Sequence, residues 1–426
     1  MIKKIKIYIT LAAVAFSSVS CLDKYPEDAI PEGDAIRTVE EANQAVIGIY
    51  AYMKNPNLYS GLLTLLPDLQ ADLAYAVEGY TNTYGNIWRW DILPTNTEVE
   101  AVYGTLNALI GKCNFLLERI AVLEQEVDDE DYEKLQQFKG EALFARALSY
   151  SDLIKMYCKA YDPATAADEL GVVLVSSYSN AGTLKRASLK DSYQFVLDDL
   201  AQSATCLKPD ENENDESYYD TPYFTIYAVN ALYARVYLNM QEWDKAIEYA
   251  SKVIDSRKFK LSSTTEMIDS ETSYYQYMWQ YDHSTETIWK VGFTTTSYGG
   301  SLGQIFFNYD FNSFKPDYVP AEWVLNLYAD TDLRATTFFQ FYRTGYEHGL
   351  QWPLLAKYFG NQEFYEQNIL HVTMPKVFRL SEQYLIRAEA YCQKSNPEYG
   401  KGANDLTTLR QARYSNYGSA SLTEEN

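Results

Sequence analysis

Gly140-Glu141-Ala142-Leu143-Phe144-Ala145-Arg146-Ala147-Leu148-Ser149-Tyr150 lies inside a helical pattern that begins at the acidic run Asp128–Asp131 and reaches about Tyr157. Carboxylates at a helix start complement the positive end of its dipole, so that acidic run needs no other explanation. The centre of the stretch, Leu143-Phe144-Ala145-Arg146-Ala147, returns as Leu232-Tyr233-Ala234-Arg235-Val236 and again as Leu385-Ile386-Arg387-Ala388-Glu389. Small alanines let two helices approach, while the large residues fill the groove between them. The copies follow no fixed period, which excludes a simple solenoid.

Working outward, Thr38 and Glu41 form a capping box ahead of a helix over 38–53, with Ala42, Ala45, Val46, Ile49, Tyr50 and Met53 on one face. Further helices are expected over 98–123, 191–207 and, briefly, 321–328. Residues 223–239 and 244–255 pair around Gln241-Glu242-Trp243, and 381–393 pairs with 402–413. The predicted fold is mainly α. Tetratricopeptide-like helix pairs make the scaffold, long aromatic-rich loops are inserted between them, and β structure is minor. Residues 57–97 and 256–320 are the chief insertions. Long insertions in such folds gather on one face and carry binding.

Lys3, Lys4 and Lys6 precede an apolar run, Ile7–Phe16, and small residues that lead into Cys21. This is the layout of a signal peptide over 1–20, too short to span a bilayer. The end of the segment resembles a lipobox, with Ser18 where a strict lipobox carries leucine. Cys21 is therefore the expected lipidation site, residues 21–34 a lipidated tether, and 35–426 the body, with an N-terminal part to about 210 and a C-terminal part from about 211. No later stretch approaches eighteen apolar residues. Cys113, Cys158, Cys206 and Cys392 are too irregularly spaced to suggest a disulfide framework, and Cys113 and Cys158 read as buried thiols. A net charge of -22 disfavours nucleic acid and anionic lipid headgroups as partners. The 39 tyrosines exceed what a core needs; many are expected in helix seams, the rest where rings meet ligands.

The chain resembles the SusD/RagB family of surface-exposed nutrient-binding lipoproteins. The blocks that carry the resemblance are Cys21-Leu22-Asp23-Lys24-Tyr25-Pro26, Ile47-Gly48-Ile49-Tyr50, and Tyr103 through Asn114 before Leu116-Leu117. They continue with the Gly140–Tyr150 stretch, followed by Asp152-Leu153, then Gly171-Val172-Val173-Leu174, Arg186-Ala187-Ser188 and Asp198-Asp199-Leu200. Asp332-Leu333-Arg334 and Ser381 through Ala390 complete the order. The resemblance implies a helical scaffold with a ligand face of loops and an acylated Cys21 on the outer face of the outer membrane. It also implies a SusC-like TonB-dependent transporter as partner and the capture of oligosaccharides or, in some branches, peptides. It implies no enzymatic activity and no cofactor. Family members continue past the Leu406–Arg413 helix, whereas this chain stops at Asn426; a missing helix pair would leave an apolar groove.

A sugar presents a C–H face for rings and a rim of hydroxyls for hydrogen bonds, so its site needs both on irregular segments. The candidates are Tyr84, Asn86, Trp88, Arg89 and Trp90 in one stretch, and Trp279, Tyr298 and Tyr309 in another. An extended chain over 80–90 would put Trp88 and Trp90 on one side. Two other readings stand beside this one. Gly299-Gly300-Ser301-Leu302-Gly303 fits a nucleophile elbow, with Asp332 and His348 or His371 following in hydrolase order. The helix repeats alone could instead serve a protein partner. Asp210, Asn212 and Asn214 match the start of an EF-hand loop, but Asp215 and Thr221 replace its required glycine and glutamate, and His283, His348 and His371 lack metal-ligand spacing.

Overall fold

The computed structural model describes residues 35–178, 184–207, 221–310, 313–346, 349–415 and 417. Cys21, the tether, the 210–216 loop, His348 and Asn426 lie outside the described residues. Eight helices of at least twelve residues form the scaffold among them: α1 (Val39–Tyr52), α2 (Thr97–Leu123), α3 (Asp129–Tyr157), α4 (Leu189–Cys206), α5 (Ile226–Asn239), α6 (Trp243–Ile254), α7 (Leu380–Gln393) and α8 (Tyr399–Gln411).

Their starts are chemically marked. Thr38 and Glu41 close the capping box of α1. Asn96, Asp128, Ser188 and Thr225 each accept a backbone N–H at the next four helix starts. Each satisfies an otherwise orphaned donor. Between α5 and α6, Gln241 takes a left-handed φ of 61°, which closes the turn. In space α3 packs between α2 and α4, α5 pairs with α6, and α7 pairs with both α6 and α8.

The decisive stretch proves to be the centre of the molecule. Every residue from Gly140 to Ile154 is buried. A helix hidden on all sides should be apolar, so its polar residues need partners. Each has one. Glu141 accepts from Tyr50 Oη at 2.6 Å, and Asp152 accepts a very short hydrogen bond from Tyr59 Oη. Arg146 donates to both Asp199 oxygens, at 2.8 and 2.6 Å, and to Asn114 Oδ1 at 2.7 Å.

The arginines of the other two echoes repeat this forked pairing. Arg235 of α5 grips Glu382 of α7 at 2.6 and 2.8 Å. Arg387 of α7 grips Asp405 of α8 at 2.8 Å through both nitrogens. The repeated motif thus encodes a rivet: alanines bring helices together and the arginine fastens a later helix bidentately. Gly140 shows how close the contact is, since a Cβ there would lie 2.8 Å from Cys206 Cβ on α4. Cys113 is buried among these helices, which pushes its thiol up to about 12. Cys158, expected to be buried, is only half-buried because it caps the end of α3.

Strands are few and short. Five two-stranded antiparallel ladders occur among the described residues. One of them pairs Thr287–Lys290 with Lys376–Arg379, two strands of the long insertion between α6 and α7, the second leading directly into α7. Another pairs Ala74–Ala76, from the first insertion, with Tyr318–Pro320, from the second, in the register Ala74↔Pro320, Tyr75↔Val319 and Ala76↔Tyr318. The two insertions therefore meet over a second core that includes Leu65, Leu69, Ala74, Phe306, Phe307, Tyr318 and Leu354, separate from the large helical core.

Candidate functional site

Where the insertions meet, three tryptophans converge on one short segment. Trp90 Nε1 donates to the carbonyl of Gln70 at 2.9 Å, Trp323 Nε1 to that of Asp72 at 3.0 Å, and Trp88 Nε1 to that of Ala74 at 2.9 Å. The acceptors run from the end of a short helix, Leu62–Gln70, through the left-handed turn at Asp72 into the strand Ala74–Ala76. The paired strands bring residue 323 to this place, because Ala321 N donates to Leu73 O at 3.0 Å immediately after Pro320. Asp317 fastens the loop behind: its carbonyl accepts from Val77 N at 2.9 Å and, through a very short hydrogen bond, from Asn82 Nδ2. Tyr318 Oη donates to Thr83 O at 2.7 Å.

The rings are held but not covered. Trp90 is 65% exposed, Tyr75 58% and Trp323 48%. Trp88 is half-buried and meets Tyr75 edge-on at 5.9 Å, packing on the second core. A hydrogen bond in the plane of an indole fixes the ring while leaving its faces free. A ligand that stacks on such rings meets little loss of side-chain entropy. Three non-glycine residues of left-handed backbone, Asp72 (φ 56°), Tyr84 (φ 63°) and Trp90 (φ 59°), set these turns. Strain of this kind concentrates where a surface is pre-organised.

The predicted residues are divided. Trp88 and Trp90 share the anchoring segment, but not through strand alternation: Gly85–Trp88 forms a short helix, because the left-handed Tyr84 turns the chain into it. Tyr84 sits half-buried behind, touching both cores. Asn86 and Arg89 are exposed beside it, Arg89 3.6 Å from Asp91. Trp279 is half-buried. It meets Tyr275 and Phe338 edge-on, and Lys376, Arg379 and Lys357 lie 5.0, 5.4 and 5.6 Å from its centroid. Tyr298 is 46% exposed with its ring 6.5 Å from Phe364, and Tyr309 is 63% exposed over Phe314 at 5.5 Å; neither touches the three tryptophans.

Trp323 and Tyr75 went unread in the sequence. Trp323 falls in a short helix, Glu322–Leu325, where one tryptophan among apolar residues looks like packing. The signal was the match between two distant extended segments, and it carries no local mark.

The elbow motif is corrected by its surroundings. No strand leads into Gly299–Gly303 and the ladders are antiparallel, whereas a nucleophile elbow joins a strand to a helix in a parallel sheet. Asp332 is committed to Arg334 at 2.5 Å, and His371 Nδ1 lies 2.9 Å from the carbonyl of Phe359 with its ring stacked on Phe307. Burial lowers the pKa of that imidazole. Among the described residues no His, Cys, Asp and Glu cluster has metal-site geometry.

Residues 22–238 match the SusD-like family described as starch-binding, associating with outer membrane. The chain is 23% identical over 257 residues to SusD-like protein P2 of Formosa agariphila, covering 60% of this chain and 46% of that one. It therefore spans about half the length of that curated relative. Among solved structures, a SusD superfamily protein from Bacteroides thetaiotaomicron aligns with a TM-score of 0.75 at 22% identity, over 91% of this chain and 83% of the other. A putative sugar binding protein from Bacteroides vulgatus gives 0.73 at 23% identity over 92% and 82%. Surface glycan-binding protein A from Bacteroides uniformis gives 0.68 at 18% identity over 91% and 83%.

Proposed function

The chain belongs to the SusD-like family, and on that premise we propose that it is a cell-surface lipoprotein that captures oligosaccharides for a TonB-dependent outer-membrane transporter. The observation that carries the reading is the set of three indoles tied to Gln70, Asp72 and Ala74, two of them widely exposed. Fixed rings of this kind suit the C–H face of a sugar, and Asn86, Arg89 and the backbone around them suit its hydroxyl rim. A net charge of -22 accords with a neutral ligand. No described helix is long and apolar enough to cross a membrane; lipid on Cys21 is the attachment this reading assigns.

Affinity electrophoresis and titration calorimetry of the body without residues 1–21 against a polysaccharide panel test the reading. At least one neutral polysaccharide should bind and casein peptides should not. Trp90→Ala and Trp323→Ala should each weaken that binding about thirtyfold with the fold intact; peptide binding that ignores both substitutions would reject it. Cys21→Ala should move the full chain from membranes to the soluble fraction.

A further inference from the structure

Beside the tryptophan surface lies a cavity of about 340 Å³. Its outer wall is made by the segments that hold the rings. Leu73 and Ala74 flank or supply the indole acceptors, and Pro320 and Val324 bracket Trp323. The inner wall is apolar, with Phe306 and Phe338 at its back. Leu327, 70% exposed, stands at the rim.

Three charged side chains also reach the cavity, Asp68, Arg334 and Lys357, and with Asp332 behind Arg334 two cations stand against two carboxylates. Arg334 is locked to Asp332 by a bidentate pair, Nη2 to Oδ2 at 2.5 Å and Nε to Oδ1 at 2.9 Å. The Lys357 ammonium lies among rings, 4.5 Å from the centroid of Tyr358 and 5.4 Å from that of Phe338. Asp68 shares the cavity with Lys357 and opposes it electrostatically. Burial holds the Asp68 carboxyl above its ordinary range, against the pull of Lys357 and Lys155. An ionised ligand group would find no surplus opposite charge here. A sugar ring inside would leave several hydroxyls against hydrocarbon, and each unmatched polar group is costly. The occupant favoured by these walls is apolar and uncharged, and the volume is that of a small-molecule site.

We propose that this cavity takes an acyl or aryl ester substituent carried on the glycan that the tryptophan surface holds. The proposal rests on the glycan reading above and names the ligand class, an esterified glycan. The sugar stacks outside on Trp90 and Trp323, while its substituent enters between Val324 and Leu73.

Methyl benzoate serves as the probe, followed by ligand-observed NMR and calorimetry on the wild-type body, on Val324→Trp, which fills the entrance, and on Trp90→Ala. Wild type should bind it, Val324→Trp should weaken binding by about tenfold or more, and Trp90→Ala should leave it unchanged. Leu327→Asp, at an exposed rim position, should also weaken binding and guards against misfolding of the first variant. Absence of methyl benzoate binding to wild type, or equal binding to folded Val324→Trp and Leu327→Asp, would overturn the proposal even if polysaccharides bind. Methyl benzoate bound in the cavity with no polysaccharide bound by the same sample would support the cavity and overturn the glycan reading instead.

Discussion

Trp289 and Trp90 make the same hydrogen bond and meet opposite fates. Trp289 donates Nε1 to Pro222 O at 2.9 Å and is 0% exposed, enclosed by Phe224, Phe378 and Tyr59. Trp90 donates to Gln70 O at the same distance and is 65% exposed. One belongs to the helical core, the other to the junction of the insertions. The two indoles share a kind of partner and differ in whether their ring faces are covered. The scaffold consumes its aromatic faces, as in the stack of Tyr233, Tyr237 and Tyr249. The junction orients its rings and leaves them open.

Substitutions can break this contrast. The largest effect belongs to the scaffold. Trp289→Ala should cost about 3–5 kcal/mol of stability in denaturant titration, from lost burial and the cavity left behind. Arg146→Ala should cost a similar amount, about 3–5 kcal/mol, because Asp199 would stay buried without its partner. Next comes the surface. Trp90→Ala or Trp323→Ala should cost about 2 kcal/mol of glycan affinity, roughly thirtyfold, measured by calorimetry. Stability should change by no more than about 1 kcal/mol, the worth of one hydrogen bond.

A smaller loss is expected at the start of α1, where Thr38→Ala removes the cap and should cost about 1 kcal/mol of stability with binding untouched. The smallest effect is one of slope. Burial holds Asp152 above the ordinary aspartate value of 3.8, against Tyr59, Arg235 and Lys155, which pull it down. Between that ordinary value and the raised one, the folded chain binds more protons than the unfolded chain, so this group makes stability fall as pH rises. Asp152→Asn removes that contribution and can still accept from Tyr59. Calorimetry from pH 4 upward should therefore find the variant gaining on wild type as pH increases.

The scaffold was legible because its signals are local. Thr38 with Glu41, the 3.6-residue periodicity and the three arginine-bearing echoes each mark a helix within a few residues. What the echoed arginines fasten was not legible, since Arg235 meets Glu382 across 147 positions. The same limit applies to the candidate site. Trp88 and Trp90 stood out as rings in an irregular stretch, although their spacing suggested a strand where a left-handed Tyr84 starts a helical turn. Trp323 joins them through the pairing of Ala74–Ala76 with Tyr318–Pro320, a tertiary fact with no local trace. Trp279, in an equally aromatic stretch, turns inward beneath three cations.

The division of labour between the two regions is tested most directly by measuring glycan affinity and melting temperature together for Trp90→Ala and Trp289→Ala. The account predicts that Trp90→Ala loses binding and keeps the wild-type melting temperature. It predicts that Trp289→Ala melts markedly earlier but, while folded, binds as wild type does. Retained affinity in Trp90→Ala, with affinity lost in a still-folded Trp289→Ala, would contradict it.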